Sequence, residues 1–426
     1  MTRTTPSPLR DFVTDDVRPN RLVEVSWLTD YLAAGAPHGE PIMLSLGESW
    51  ARTPPALLEA LRRVPDTMHG YLISMYGLPR LRRVLRDYVR TTQRLPPDGH
   101  WETAVSWGGT RSVMRDFTDY VRGSRQAGAT ALCVAPSWDY AGFLEPQGFE
   151  VSYVPAVASE GFRPAPEAIA RHAAGLRQLD LVVINAQHNP TGVVWDRPTV
   201  ESLLGVALER RAAVLIDDAY FGFCDPEDEP TSAVRILLDL LDGRPSPVPW
   251  LATRSLGKQF RCNGWGLGAI TAEPELLEVI VNEFRPRHSF NYGAAHQWAM
   301  AEWLEDRDAV ASYLAEQRHE LRRKQRALLD VVRSADPLRP VVCGPAAPYL
   351  LYPVSEVSDV SRVDDYLHRA VSEAGVMLSN AWTLARAADA PDIGYVRMYL
   401  GPDLPVLQEA CDRLVKAGLL DGPSPI

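Results

Sequence analysis

The sequence lacks the features that mark membrane-spanning, secreted and nucleic-acid-binding chains. No apolar run approaches the length of about 18 residues that a membrane-spanning helix needs, so we expect no membrane partner. Residues 1–20 contain no apolar signal core, and we interpret them as a flexible leader. The net charge of −10 argues against nucleic acid as the main partner, because phosphate backbones select basic surfaces.

Cysteine is also scarce, and its positions are informative. No Cys-x-x-Cys pair occurs, which disfavours a disulfide framework and a zinc site and is typical of a reducing, cytoplasmic location. The five cysteines are Cys133, Cys224, Cys262, Cys343 and Cys411. The chain contains neither GxGxxG nor GxxxxGK[ST], which disfavours a plain nucleotide-binding α/β protein.

Lysine is rare: only three of the 44 basic residues are lysine. Arginine cannot replace a lysine whose amine must condense with an aldehyde, because the guanidinium group stays protonated. Lys324 and Lys416 fall in amphipathic helical patterns, and we predict that both are solvated. Lys258 instead follows a short β-like run and precedes a Gly-rich stretch, which makes it the candidate for chemistry.

Short apolar runs alternate with helical patterns between about residues 100 and 275. This alternation predicts an α/β fold with a largely parallel sheet that is covered by helices on both faces. The runs are TAVSWG, ALCVAP, EVSYVPAV, LDLVVINA, AAVLIDDAY, PWLATRS and LGAITAE. A long helical pattern follows after about residue 294, and then the strand-like runs YLLYPV and YVRMYL. We therefore predict a large domain over residues 61–300 and a small domain from residues 21–60 and 301–426.

Polar residues cluster where the predicted strands end, which is where open α/β sheets bind ligands. Asn189 follows LDLVVINA, Asp217 and Tyr220 follow AAVLID, and Lys258 follows PWLATRS. The glycines of WGGT (107–110) open a predicted helix and offer amide groups to an anion. Each residue alone has a plain structural explanation, since Asn-Pro forms turns and aspartate caps helices.

Six motifs in one order carry a resemblance to a known family. The chain contains HNPTG (188–192), DDAY (217–220) and SLGK (255–258), together with Pro136-Ser137-Trp138, LSLGES (44–49) and YVRMYL. In this order and spacing they resemble the class I/II aminotransferases of the aspartate aminotransferase superfamily. That family is a fold-type-I group of enzymes dependent on pyridoxal 5'-phosphate (PLP). The resemblance implies a mostly parallel seven-stranded sheet in the large domain, and a small α+β domain built from both chain ends.

The resemblance also implies a role for each motif residue. Lys258 would carry PLP as a Schiff base and move the Cα proton through an external aldimine and a quinonoid. Asp217 would pair with the pyridinium, which makes the ring an electron sink. Arg397 would bind the substrate α-carboxylate beside Gly47. The remaining cofactor contacts would come from Tyr220 and Asn189 on the ring oxygen, Trp138 on the ring face, and Gly109, Thr110 and Ser255 on the phosphate.

Two positions depart from the family pattern. Gly266 stands where the family has an arginine for the phosphate, eight residues after Lys258. Arg261 or Arg254 could supply the missing charge, and we favour Arg261. The family tyrosine that crosses the dimer to the phosphate could be either Tyr71 or Tyr76. The homodimer itself is implied by the family alone.

The departures leave the reaction type open. The resemblance favours amino transfer from an amino-acid substrate. The alternative is a relative from specialised natural-product biosynthesis, in which the same carbanion is diverted to β/γ-elimination (a lyase), substitution, cyclisation or oxidation. A PLP-binding regulator is disfavoured, because no helix-turn-helix module precedes the predicted large domain.

Overall fold

A computed structural model describes most of the chain. The described residues are 9, 23–50, 52–123, 128–228, 230–287, 289–334, 340–355, 360–380 and 394–420. Apart from Leu9, the predicted leader at residues 1–20 lies outside them. Within the described residues, no helix combines the length and apolar character that crossing a membrane requires.

The described residues form twelve strands, and β2 to β8 arise from the seven predicted apolar runs. The strands are β1 (Ile42–Met43), β2 (Glu102–Ser106), β3 (Ala129–Ala135), β4 (Phe149–Pro155), β5 (Leu181–Ile184), β6 (Ala213–Asp217), β7 (Trp250–Ser255), β8 (Gly268–Ala272), β9 (Tyr349–Ser355), β10 (Val376–Met377), β11 (Ser379–Asn380) and β12 (Gly394–Tyr399). The large sheet has the order β2-β8-β7-β6-β5-β3-β4. Only β8 runs antiparallel to its neighbours in it, so the predicted mostly parallel, seven-stranded sheet is confirmed.

Helices cover both faces of the large sheet. The α-helices of the described residues are α1 (Val23–Ala33), α2 (Pro55–Arg62), α3 (Pro79–Gln93), α4 (Gly109–Gly123), α5 (Ala141–Leu144), α6 (Pro166–Gly175), α7 (Arg197–Arg210), α8 (Ala233–Leu241), α9 (Leu256–Gln259), α10 (Pro274–Val279), α11 (Ala294–Glu305), α12 (Arg307–Val332), α13 (Val360–Ala374) and α14 (Leu404–Lys416). Proline occupies the first turn of several, where its missing N–H costs no hydrogen bond.

The two-residue period of a strand explains how both faces become buried. Along β5, Leu181 and Val183 pack with helices α4 and α10, while Val182 and Ile184 pack with α3, α7, α8 and α11. All four side chains of β5 are buried. The central strands are therefore apolar on both faces, and polar side chains can appear only at their ends.

The two ends of the chain combine in a second, smaller unit. Strand β1 pairs in parallel with β10, and β11, β12 and β9 form an antiparallel sheet. The 26-residue helix α12 belongs to both units. Leu314 packs in the core of the large sheet, whereas Leu321 and Leu328 pack in the core of the small unit.

Helix α12 also corrects the prediction for one lysine. Lys324 was predicted to be solvated, and this is wrong: only 1% of the residue is exposed. Its Nζ is 2.7 Å from a carboxylate oxygen of Glu320, one turn earlier, and donates to the backbone oxygen of Gly401 at 3.0 Å. The amphipathic pattern was recognised correctly, but the helix lies between two packed units, which buries more than one of its faces. Lys416 is exposed, as predicted.

Candidate active site

Lys258 lies at the carboxyl edge of the large sheet. It follows β7 in the short helix α9, whose N-cap is the Ser255 side chain, which accepts the backbone N–H of Lys258 at 3.1 Å. The Nζ of Lys258 donates to the backbone oxygen of Gly47 at 3.0 Å. A Cβ on Gly47 would lie 2.7 Å from the Tyr349 hydroxyl and 3.3 Å from that Nζ, so a side chain does not fit there without movement.

Asp217 ends strand β6 and is held from three sides. The Tyr140 hydroxyl donates to Oδ2 at 2.8 Å, and the Ala219 amide donates to Oδ1 at 3.2 Å. The Asn185 side chain donates to the Asp217 backbone oxygen at 2.6 Å. Burial raises the pKa of Asp217 to about 6, although the hydrogen bonds from the Tyr140 hydroxyl and the Ala219 amide oppose the rise. Since a nearby cation stabilises such a carboxylate, the site suits a protonated ring nitrogen.

Arg397 crosses from the small unit to the large sheet. Its guanidinium group donates to Asn189 Oδ1 and to the Ser45 backbone oxygen, both at 2.8 Å, and to Ser379 Oγ at 3.0 Å. It also stacks on the Tyr349 ring, 4.3 Å from the centroid. Among the described residues, no carboxylate lies within ion-pair distance of this buried group. A guanidinium group held only by neutral acceptors is suited to a carboxylate ligand.

Tyr220 faces the same space as Lys258. Its hydroxyl is hydrogen-bonded to the Tyr349 hydroxyl, and it would lie 3.2 Å from a Cβ on Gly47. Burial raises the pKa of Tyr220 well above its usual value. Tyr220 is therefore a neutral phenol that can donate a hydrogen bond.

The glycines of the predicted phosphate site meet Gly266. Gly108 and Gly109 both have φ of +77°, a left-handed conformation that favours glycine. The Gly109 amide donates to the Gly266 backbone oxygen at 2.9 Å, and a Cβ at Gly266 would lie 3.1 Å from the Gly108 nitrogen. The glycine at 266 thus lets this turn close on the start of α4, where Thr110 lies in the first turn.

The two arginines considered for the phosphate have other partners. Arg261 forms an ion pair with Glu320 at 3.0 Å. Arg254 donates to Thr92 Oγ1 at 2.6 Å and to Gln259 Oε1 at 3.3 Å. A third arginine, Arg111 in the first turn of α4, stacks on the Trp138 ring at 4.5 Å. Arg111 was not predicted as a site residue, although it lies two residues after Gly109 in the predicted helix start.

Several other residues of the site were not predicted. Tyr140, Asn185, Tyr349 and Ser379 hold the side chains or backbone of the predicted residues. Asn185 lies four residues before Asn189, just ahead of the HNPTG motif, and its Oδ1 accepts the Asn189 amide at 2.8 Å. That spacing could have indicated it, whereas Tyr349 lies in an ordinary strand pattern and carries no such signal.

The fold and the site together define a class of protein. A lysine, a buried aspartate, an asparagine and a tyrosine meet at the carboxyl edge of a mostly parallel seven-stranded sheet, beside a glycine-rich helix start. This is the architecture of the fold-type-I PLP-dependent transferases. The buried Asp217, the Lys258 amine and the glycine turn are each chemically suited to one part of PLP.

Comparison with known proteins gives the family. The model of the family "Aminotransferase class I and II" matches residues 42–414. The chain is 24% identical over 376 residues to the aspartate/prephenate aminotransferase of Thermus thermophilus, covering 88% of this chain and 90% of that one. It is 23% identical over 376 residues to the LL-diaminopimelate aminotransferase of Oleidesulfovibrio alaskensis, covering 88% and 90%. The chain belongs to the class I and II aminotransferases, which are PLP-dependent enzymes.

Solved structures agree on the fold. A double mutant of Thermus thermophilus aspartate aminotransferase superposes with a TM-score of 0.76 at 23% identity, over 97% of this chain and 99% of that one. An aromatic aminotransferase from Pyrococcus horikoshii superposes with a TM-score of 0.75 at 21% identity, over 92% and 100%. The fold-type-I architecture predicted from the motifs is thereby confirmed.

Proposed function

We propose that this enzyme transfers the amino group of an amino acid to a 2-oxo acid. The proposal rests on one observation: three functional groups that suit this reaction lie around Gly47. The Lys258 amine and the Tyr220 hydroxyl would lie 3.3 and 3.2 Å from a Cβ placed there, so both face the space that this glycine leaves open. Arg397 is within 2.8 Å of Ser45, two residues before Gly47. An amine, a phenol and a guanidinium group thus surround one small volume.

When bound, PLP supplies an electron sink that makes the Cα proton of an amino acid acidic. We propose that Asp217 keeps the ring nitrogen protonated and that Asn189 and Tyr220 donate to the ring oxygen. Trp138 would cover the ring, and Thr110 and Ser255 would hold the phosphate beside Gly109, whose own amide donates to Gly266. The rigid support of Asp217 by Tyr140 and Asn185 favours this assignment, because a fixed carboxylate orients the ring against the lysine.

The substrate contacts follow from the neighbouring cations. We propose that Arg397 binds the α-carboxylate and that Lys258 removes and returns the Cα proton as general base. Arg397 is supported because its present partners are neutral oxygens, so a substrate carboxylate adds the charge that this buried group lacks. Stacking on Tyr349 fixes the plane of the guanidinium group before the substrate arrives.

We also propose that the enzyme is a cytoplasmic homodimer. Two pairs of large apolar side chains are exposed, one pair near each end of the predicted large domain, and the Tyr71 ring packs against Phe290 at 5.2 Å. The patch consists of Tyr71, Ile73, Phe290 and Tyr292. Of the two tyrosines considered, Tyr71 is 74% exposed, whereas Tyr76 lies under the Arg82 guanidinium group. We therefore propose Tyr71 as the residue that reaches the partner. All five cysteines are free, which fits a reducing compartment.

The proposal is tested by a half-reaction. Purified enzyme is mixed with single amino acids, and the visible absorbance of bound PLP is followed. We expect at least one amino acid to bleach that band and a 2-oxo acid to restore it, while Lys258→Ala shows neither change. Borohydride is expected to fix the cofactor on Lys258. A protein that takes up no PLP would overturn the cofactor site.

The same experiment separates the alternative reactions. If an amino acid is consumed over many turnovers without any 2-oxo acid and the band persists, the amino group has not been stored on the cofactor. Release of ammonia, a leaving group or hydrogen peroxide would then indicate elimination, substitution or oxidation. S-substituted amino acids belong in the screen, because they carry a leaving group that elimination requires.

A further inference from the structure

A large cavity lies apart from the active site. It has a volume of about 880 Å³ and is bounded by α3, α8, the start of α12 and the loop after β6. Its lining includes none of Lys258, Asp217, Asn189 and Arg397. The volume falls in the range of small-molecule sites in proteins, which is roughly 300–1,000 Å³.

The cavity is adjacent to the active site through one pair of neighbouring residues. Gln93, which lines the cavity, donates to Asp218 Oδ2 at 2.6 Å, and Asp218 follows Asp217 directly. Both Gln93 and Asp218 are more than nine-tenths buried. Among the described residues, Gln93 Oε1 and Asp218 Oδ1 have no hydrogen-bond partner. Buried polar atoms without partners are rare in proteins, so the wall of the cavity at this point can accept further hydrogen bonds.

The strongest indication of a ligand is the charge of Arg254, which also lines the cavity. Arg254 is 3% exposed, and its hydrogen bonds go to Thr92 and Gln259, which are neutral. In the part of the chain that the structure describes, no carboxylate lies within 4.0 Å of it. Burial lowers the pKa of Arg254, and the Asp218 carboxyl group opposes this from beyond ion-pair distance. A buried guanidinium group without a carboxylate in direct contact is suited to an anionic partner.

The walls around Arg254 are aromatic and aliphatic. The guanidinium group lies 4.8 Å from the Tyr88 ring centroid and 5.0 Å from that of Phe221. Val84, Ile236, Leu304, Val310 and Leu314 extend the apolar lining. The other arginines of the lining include Arg235 and Arg307, and these are paired with Asp239 and Asp87. Arg254 is therefore a buried positive charge whose immediate surroundings are aromatic and aliphatic.

We propose that this cavity binds a small organic anion with an apolar body, such as a carboxylate, sulfonate or phosphate ester. The anionic group contacts Arg254, and the apolar body lies against Tyr88, Phe221 and the aliphatic wall. Arg254 matches such groups because its planar fork donates two parallel hydrogen bonds. The site is distinct from the one that binds the amino-acid substrate, and its occupancy does not depend on the reaction type.

The test compares a planar anion with its neutral analogue. Binding of 2-naphthoate and of 2-naphthamide to PLP-loaded enzyme is measured by isothermal titration calorimetry. We expect the amide to bind at least about tenfold more weakly, because a hydrogen bond to a charged group is lost. Equal affinities would overturn the role of Arg254.

Variants locate the site. Ala311 lies on α12, is exposed and lines the cavity, so Ala311→Trp fills the chamber without disturbing the core. Ala315→Trp, one turn further along the same helix and outside the lining, is the matched control. We expect Ala311→Trp and Arg254→Gln to lower the affinity for 2-naphthoate at least about tenfold, and Ala315→Trp to leave that affinity unchanged. Ala311→Trp keeps the test valid if Arg254→Gln unfolds.

One further variant excludes binding in the active site. Arg397 is the proposed carboxylate site there, and 2-naphthoate could occupy it instead. We expect the 2-naphthoate affinity of Arg397→Gln to equal that of the unchanged enzyme. If Arg397→Gln abolishes binding while Ala311→Trp retains it, the anion binds in the active site and the proposal is wrong. Failure of the proposed amino transfer would leave these binding results unaffected.

Discussion

Asp217 and Asp218 are neighbours in the chain, yet their carboxyl groups have different partners. Asp217 is hydrogen-bonded to Tyr140 on the side of Lys258, whereas Asp218 accepts from Gln93 beside the cavity. Burial raises the pKa of Asp217 to about 6 and that of Asp218 to about 7. We propose that the pyridinium of the cofactor pairs with Asp217, so we expect Asp218 to keep its raised pKa in the holoenzyme.

The raised pKa of Asp218 predicts that Asp218→Asn increases the stability of the folded enzyme, and that the increase depends on pH. The folded pKa of about 7 exceeds the usual 3.8, so the stability linked to this proton is full below pH 3.8 and is lost as the pH rises to about 7. Asparagine does not titrate, so the variant does not lose this stability as the pH rises. We expect the variant to match the unchanged enzyme near pH 4 and to exceed it at pH 8 by on the order of 2 kcal/mol.

The midpoint of urea unfolding between pH 4 and 8 measures this difference. Asp66→Asn, at an exposed position, is the control. Its unfolding midpoint should differ from that of the unchanged enzyme by the same amount at every pH in this range. A difference for Asp218→Asn that stays flat with pH would show that Asp218 is ionised in the folded enzyme throughout.

Arg111 is the residue from which we expect the charge that Gly266 does not provide. It lies in the first turn of α4 beside the glycines proposed for the phosphate, and its nearest described carboxylate, that of Asp139, is 3.4 Å away at an exposed position. Arg261, favoured from the sequence, is held by Glu320. We expect Arg111→Ala to weaken PLP retention about tenfold and Arg261→Ala to weaken it less. Equilibrium dialysis against PLP measures both, and the reverse order would restore Arg261 to that role.

At the scale of elements, helix α12 joins the two units through a charged cluster. Glu320 accepts from Arg52 at 2.6 Å, Arg261 at 3.0 Å and Lys324 at 2.7 Å. Burial alone would raise the pKa of Glu320, but Lys324 and Arg261 hold it at about 2. Burial lowers the pKa of Lys324 to about 8, although Glu320 opposes this. Glu320 thus pairs with three cations that come from three separate segments, and Arg52 pairs with Asp403 as well.

Glu320 has three cationic partners, whereas Lys324 is only one of them, so we expect substitutions at these two residues to change stability unequally. Glu320→Gln leaves Arg261 and Lys324 without their carboxylate, while Arg52 keeps Asp403, and we expect a loss of about 3 kcal/mol in the free energy of unfolding. Lys324→Met removes one buried charge while Arg52 and Arg261 still pair with Glu320, and we expect a change within about 1 kcal/mol. Urea unfolding measures both. A comparable loss for Lys324→Met would mean that the helical pair itself, and not the shared carboxylate, stabilises the junction.

For the whole molecule, the exposed apolar patch predicts assembly. Ile73 is 97% exposed, so Ile73→Asp removes no contact within the chain. We expect this variant to be monomeric in sedimentation at concentrations where the unchanged enzyme is dimeric, because a charge in an apolar interface is costly. Leu240→Asp, at an exposed apolar position on α8, is the control and should leave the dimer intact. An unchanged dimer in Ile73→Asp would move the interface elsewhere.

The sequence predicted those parts of the molecule that have a local signal. Each strand of the large sheet is a buried apolar run, and Lys258, Asp217 and Asn189 lie in short motifs at strand ends. Contacts between distant segments could not be predicted in this way. Tyr349 meets Tyr220 across 129 residues of chain, and Lys324 is buried by packing against a second unit. The cavity beside Arg254 likewise depends on how four elements meet.

The scarcity of lysine has a practical consequence for labelling. Of the three amines, that of Lys258 is the proposed cofactor attachment point and that of Lys324 is buried against Glu320. Lys416, at the end of α14, is the one exposed lysine. An amine-reactive dye applied to the folded holoenzyme should therefore modify, besides the α-amino group, a single side chain. That would give a reporter on the small unit without any engineered cysteine.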